Sequence, residues 1–142
     1  MSAPSGRARE WYESFRGPRG VCGRLAEIDA MIDAISKGNR TRHNSSVGRS
    51  PGVHDPTQSE ALARITRLET LGDKRRELSA EVAHATTIAR MVRFGKVIEE
   101  YYLTPEDTVT WVALAAEYDQ STRTLMRWRD DAFSEMEERR LV

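Results

Sequence analysis

The chain has 142 residues, with 22 basic and 22 acidic side chains and a formal net charge of zero. That balance excludes a generally basic nucleic-acid coat protein and leaves room for a local basic patch. With 39% apolar residues, the length suits one modest core plus an extension.

The first element is an amphipathic helical region over residues 10–36. Leu25, Ile28, Met31, Ile32 and Ile35 recur at steps of three and four, which marks one apolar stripe. Trp11, Tyr12 and Phe15 form an earlier turn of helix, and Gly17-Pro18 with Gly20 interrupts the run. Residues 37–55 are rich in Gly, Ser, Asn and Arg, the composition of a flexible basic linker. Ser36 to Ser50 holds four basic residues and no acidic one, so the segment is either a solvated loop or a mobile arm for phosphates.

A long helix is expected over 56–92, capped by Asp55 with Pro56 in the first turn. Leu71, Leu78, Val82, Ala85, Ala89 and Val92 give it a coiled-coil-like seam, with Gly72 and Gly95 as candidate breaks. At 1.5 Å per residue this helix is roughly 50 Å long, more than a compact C-terminal unit can cover. The 25–35 helix folded back, or the same helix of a second subunit, would cover it. A helical hairpin or a homodimer follows.

Residues 93–142 carry the most informative pattern. A helix over about 88–103 presents Met91, Phe94, Ile98 and Tyr101 or Tyr102, and Thr104 to Asp107 is a turn. A short helix follows with Trp111, Leu114 and Ala115 on one face, then Tyr118-Asp119-Gln120 interrupts it. Ser121 is suited to cap a second helix over about 121–137, whose apolar face is Leu125, Trp128 and Ala132. Ala115 allows the close backbone approach of two steeply crossing helices, and Asp119 stands where a turn of this kind usually has Gly. This is a helix-turn-helix, with Phe94, Ile98, Tyr102, Trp111, Leu114, Ala115, Leu125 and Trp128 as its expected core. Arg123, Arg127 and Arg129 punctuate the second helix, which could enter a major groove and offer guanidinium groups to phosphates or guanine edges. The plain alternative is a helix pair that packs and binds nothing.

Taken in order, these parts resemble the phage late-transcription regulators of the ArpU/RinA-like type, whose C-terminal unit is similar to region four of bacterial sigma factors. The resemblance rests on Glu10-Trp11-Tyr12, the loop ending Asp55-Pro56-Thr57, the long helix, the tyrosine-rich 97–103 segment, Thr110 to Ala115, and Ser121 to Ala132. Leu114, Gln120 and Phe133 depart from the family's usual residues. The resemblance implies a phage or prophage protein that binds double-stranded promoter DNA. Its DNA-facing residues would be Ser121, Thr122, Arg123, Met126 and Arg127, with Thr122 a phosphate donor and Arg129 a flanking phosphate contact.

The expectation is an all-α protein, a long helical hairpin or coiled-coil segment followed by a three-helix helix-turn-helix unit. Two other readings stand beside the regulator: a DNA-packaging component like a small terminase subunit, and a helical interaction module whose long helix binds a partner such as RNA polymerase. No catalytic residue is expected, because there is no phosphate-loop motif and no nucleophile beside a base. Cys22 is alone and His43, His54 and His84 are scattered, so no disulfide, metal site or cofactor is expected. No signal peptide or membrane-length apolar run is visible, which makes a cytoplasmic protein the simplest expectation.

Overall fold

The computed structural model describes residues 6–45 and 57–142, with side chains over 6–37 and 58–142. The regular structure of the described residues is entirely α-helical: α1 (Arg7–Glu13), α2 (Val21–Ser45), α3 (Thr57–Arg90), α4 (Gly95–Tyr102), α5 (Trp111–Glu117) and α6 (Thr122–Glu138). They fall into two compact units. The first comprises residues up to Leu25 together with Leu78–Val142, and the second Ala26–Glu77. Among the described residues, no helix is long and apolar enough to cross a membrane.

The first unit holds the aromatic core. Seven residues are too few for α1 to stand as an isolated helix, so its burial has to hold it. It buries Ala8 and Tyr12, and Phe15 follows just beyond its C-terminal end. The Tyr12 phenol donates to the Ala85 carbonyl of α3 at 2.7 Å, inside the protein. Its ring lies against Phe133 of α6 at 5.8 Å and Tyr102 of α4 at 6.2 Å. A loop leads from α1 to α2, tied back by the Gly17 amide to the Thr104 carbonyl at 3.1 Å. Gly23 admits that loop: a Cβ there would come within 2.3 Å of the Gly17 carbonyl oxygen.

The α3–α4 corner depends on another glycine. Phe94 adopts the left-handed conformation, with φ of 65°, and turns the chain through the corner. Its ring stacks on Trp128 at 4.9 Å and 4°, which offsets the strain of that backbone. Gly95 then passes so close to α3 that a Cβ would fall 1.5 Å from the Ala89 carbonyl oxygen. The single helix expected over 88–103 is therefore two. Ile88 lies in the last turn of α3 and Ile98 belongs to α4, and both are buried.

In the second unit, Asp29 of α2 pairs with Arg75 of α3 and joins the two helices. Ile28, Ile32 and Ile35 on α2, and Leu68 and Leu71 on α3, are half-buried, while Leu62 and Ile65 are exposed. The expected boundary at residue 36 moves: α2 continues to Ser45, with an Asp33–Lys37 ion pair of 2.9 Å carrying it past Ser36. The rest of the expected linker, with His54, Asp55 and Pro56, lies outside the described residues, as does the side chain of His43. The seam of the long helix is also covered differently from expectation. From Leu78 onward, Leu78, Ala85, Ala89 and Val92 are buried within the chain's own first unit. Val82, between them, is half-buried, so that half of the seam is covered largely within the chain itself.

Two outcomes follow from this packing. Gly95→Ala forces the α3–α4 corner apart and should cost about 3 kcal/mol or more, read by urea denaturation. Burial of Tyr102, opposed by the Arg129 charge, pushes its phenol up to about 12 from an ordinary 10, and burial raises Tyr12 in the same direction. Groups whose folded pKa is raised stabilise fully below the unfolded value and lose that contribution as pH rises through the folded one. Stability should therefore hold to about pH 10 and fall above it, with a shallower fall in Tyr102→Phe.

Candidate nucleic-acid interface

The α5–α6 arrangement is set first by local rules. The Thr110 hydroxyl caps α5 by accepting from the Ala113 amide at 3.1 Å. At the other end, the Gln120 amide bonds the Ala115 carbonyl at 2.9 Å and the Asp119 amide bonds the Ala116 carbonyl at 3.3 Å. This pair of bonds is the Schellman ending, with Asp119 at the left-handed position, φ 54°. The Ser121 hydroxyl then caps α6 by accepting from the Thr124 amide at 3.1 Å. The turn has the form expected from the sequence, and aspartate takes the place of glycine in it. Beneath it, Val97, Leu114, Ala115 and Leu125 form a buried cluster, flanked by the half-buried Trp111, Tyr118 and Trp128. Tyr118 donates to the Glu100 carboxylate at 3.0 Å; burial first, then this bond, pushes its phenol up to about 12.

With Leu125, Ala132, Phe133 and Met136 turned inward, helical periodicity sets Arg123 and Arg127 on the opposite face. Both are exposed, and among the described residues neither has a partner. Met126 is exposed beside them. Ser121 is exposed too, although its hydroxyl is engaged in the cap, and Thr122 is half-buried. Arg129 lies apart from this group. Its side chain is only 12% exposed, Nε bonds Asp130 at 3.0 Å, and the guanidinium sits 5.5 Å from the Trp111 ring centre. Farther along the helix, Asp130, Asp131 and Glu138 are exposed. The helix is thus cationic on its first outward turns and anionic behind them.

Charge is the quantity that the sequence pattern concealed. Residues 93–142 contain seven basic and eleven acidic side chains, a net of minus four. Most of the compensating positive charge comes from the N-terminal segment, where residues 6–25 hold five arginines against Glu10 and Glu13. One of these, Arg16, reaches the helix-turn-helix directly. It donates to the Val109 and Asp107 carbonyls, the latter at 3.2 Å, and lies 4.1 Å from the Tyr101 ring centre. Tyr101 stacks on Trp111 at 4.1 Å, so two rings are held between Arg16 and Arg129. Next to this ladder is a cavity of about 600 Å³. No local pattern marks it, because Arg16 meets groups more than 80 residues away. Among the described residues, no three His, Cys, Asp or Glu side chains gather as a metal ion requires.

Comparison with protein-family models, curated proteins and solved structures finds no match to this chain.

The turn can be tested through stability. Asp119→Gly relieves the left-handed position and should add up to about 1 kcal/mol, whereas Asp119→Val should cost about 1–2 kcal/mol. Ser121→Ala removes the cap and should cost about 1 kcal/mol, all three read by thermal or urea denaturation.

Proposed function

We propose that this chain binds double-stranded DNA with the first turns of α6 in the major groove. The observation that carries this reading is the pair of unpartnered arginines, Arg123 and Arg127, four residues apart on the outward face of a capped helix. Free guanidinium groups on an ordered helix suit bidentate contact with guanine or phosphate, because little side-chain pairing has to be broken first. The anionic stretch from Asp130 would be kept out of the groove, consistent with recognition helices that contact bases through their N-terminal residues. Met126 would make apolar base contacts, and Ser121 and Thr122 would lie at the groove edge. Arg129, held against Trp111, takes no part in base contact.

The order of parts resembles the phage late-transcription regulators, and on that ground the proposal extends to a cytoplasmic transcription regulator. A homodimer belongs to the same reading, since one short helix alone reads few base pairs. The half-buried and exposed apolar residues of the second unit, Ile28, Leu62 and Ile65 among them, are the surface that a second subunit would use.

The test is fluorescence anisotropy with duplexes tiling the DNA around its own gene, at two salt concentrations. Salt-sensitive binding weakened at least about thirtyfold in Arg123→Ala with Arg127→Ala is the expected result. Equal binding by the double variant, or no binding to any duplex, would overturn the proposal.

A further inference from the structure

The 600 Å³ cavity beside the aromatic ladder has walls from α1, the α1–α2 loop, α4, the α4–α5 loop, α5 and α6, all within the first unit. Its charge is unusual. Arg9, Arg16, Arg19 and Arg129 line it, against the carboxylates of Glu13 and Asp107. Arg9 is paired with Glu13 at 2.9 Å and Arg129 with Asp130 at 3.0 Å, so these two are locally neutralised. Arg16 is not. It is half-buried, bonded only to neutral carbonyls, stacked on Tyr101, and its Nε is buried with no partner. A guanidinium held this way keeps an uncompensated charge where water screens it less than at the surface.

Arg19 supplies a second positive charge. It occupies the tip of a four-residue turn closed by the Gly20 amide on the Gly17 carbonyl at 3.1 Å, with Pro18 fixing the backbone before it. The Gly17 amide in turn donates to the Thr104 carbonyl, so the closed turn is tied to the rest of the unit through that bond. Arg19 itself is exposed and has no partner among the described residues. One charge is therefore fixed in the wall and one stands free at the rim, on an ordered support. The free carboxylate of Asp107 opposes them and weakens the site without cancelling it.

We propose that this cavity is a binding site for a phosphoryl anion, gripped by Arg19 and drawn in by the fixed charge of Arg16. Two sources offer that chemistry: a free phosphorylated small molecule, or a backbone phosphate of a bound duplex. The second source rests on the DNA-binding reading above. Trp111 opens α5, the first helix of the helix-turn-helix, and such first helices cross the DNA backbone. The first source needs no DNA at all.

The experiment uses the full chain and inorganic pyrophosphate, with ionic strength held constant by chloride. Binding is measured by calorimetry and by the shift of the Trp111 indole N–H signal in NMR. Free-anion binding is expected to weaken about tenfold or more in Arg19→Ala and to tighten several-fold in Asp107→Asn. Arg19 is exposed, so its loss should leave the fold intact, and Arg16→Lys, which keeps the charge, should retain binding. Arg123→Ala with Arg127→Ala should bind pyrophosphate as the wild type does, which separates this site from the recognition helix.

If pyrophosphate does not bind but Arg19→Ala lowers the salt slope of duplex binding by about one, the phosphate comes from DNA. Pyrophosphate binding that is indifferent to Arg19→Ala and Asp107→Asn would overturn the proposal. So would the absence of both pyrophosphate binding and an Arg19 effect on duplex binding.

Discussion

One buried phenol organises the first unit. Tyr12 is fully enclosed, and its hydroxyl has to keep a proton and find an acceptor, because an unpaired buried donor is costly. The acceptor is the Ala85 carbonyl of α3, and the ring is flanked by side chains of α4 and α6. A single residue thus sets the position of a seven-residue helix against three others. The other helices depend on it in turn. Tyr102 and Phe133, which hold α4 and α6 together at 5.6 Å, share their contact with the Tyr12 ring.

The proposed interface sits on this frame without being part of it. The α5–α6 angle is decided within a few residues, by the Schellman ending at Asp119 and the cap at Ser121. What the frame adds is a place for that pair. Arg16 lies on Tyr101, Tyr101 on Trp111, and Arg129 beyond it, so the N-terminal segment holds α5 at its first residue. The ladder also separates two kinds of arginine. Arg16 and Arg129 are immobilised against aromatic rings, whereas Arg123 and Arg127 remain free. Immobilised cations shape a field, and free ones can form new hydrogen bonds.

This division explains what could be read from the sequence. The all-helical class, the helix-turn-helix, its cap and the left-handed aspartate follow from residues within one or two turns of each other. They were legible for that reason. The outward position of Arg123 and Arg127 was legible as well, since helical periodicity needs only Leu125 as a reference. Arg129 was not: its place depends on Trp111, 18 residues earlier and across a turn. The destination of Trp11, Tyr12 and Phe15 was hidden more deeply, because their partners lie on α3, α4 and α6. The helix end at Ser45 was missed, and Gly95 was legible only as a candidate break inside a helix expected over 88–103, for opposite reasons. The first extends through polar residues that look like a linker, and the second depends on contact with the Ala89 carbonyl, not on propensity.

The contact between Tyr12 and Phe133 spans more than a hundred residues of chain. During vectorial synthesis, α1 emerges long before α6 exists. Trp11, Tyr12 and Phe15, three aromatic rings within five residues, must then wait for α3 and α4 to emerge before any of their partners on other helices exist, and for α6 before Phe133 does. The first unit cannot close until α6 has left the ribosome. Its folding is accordingly governed by loop-closure entropy, and its nascent state exposes a sticky aromatic segment of the kind that chaperones bind.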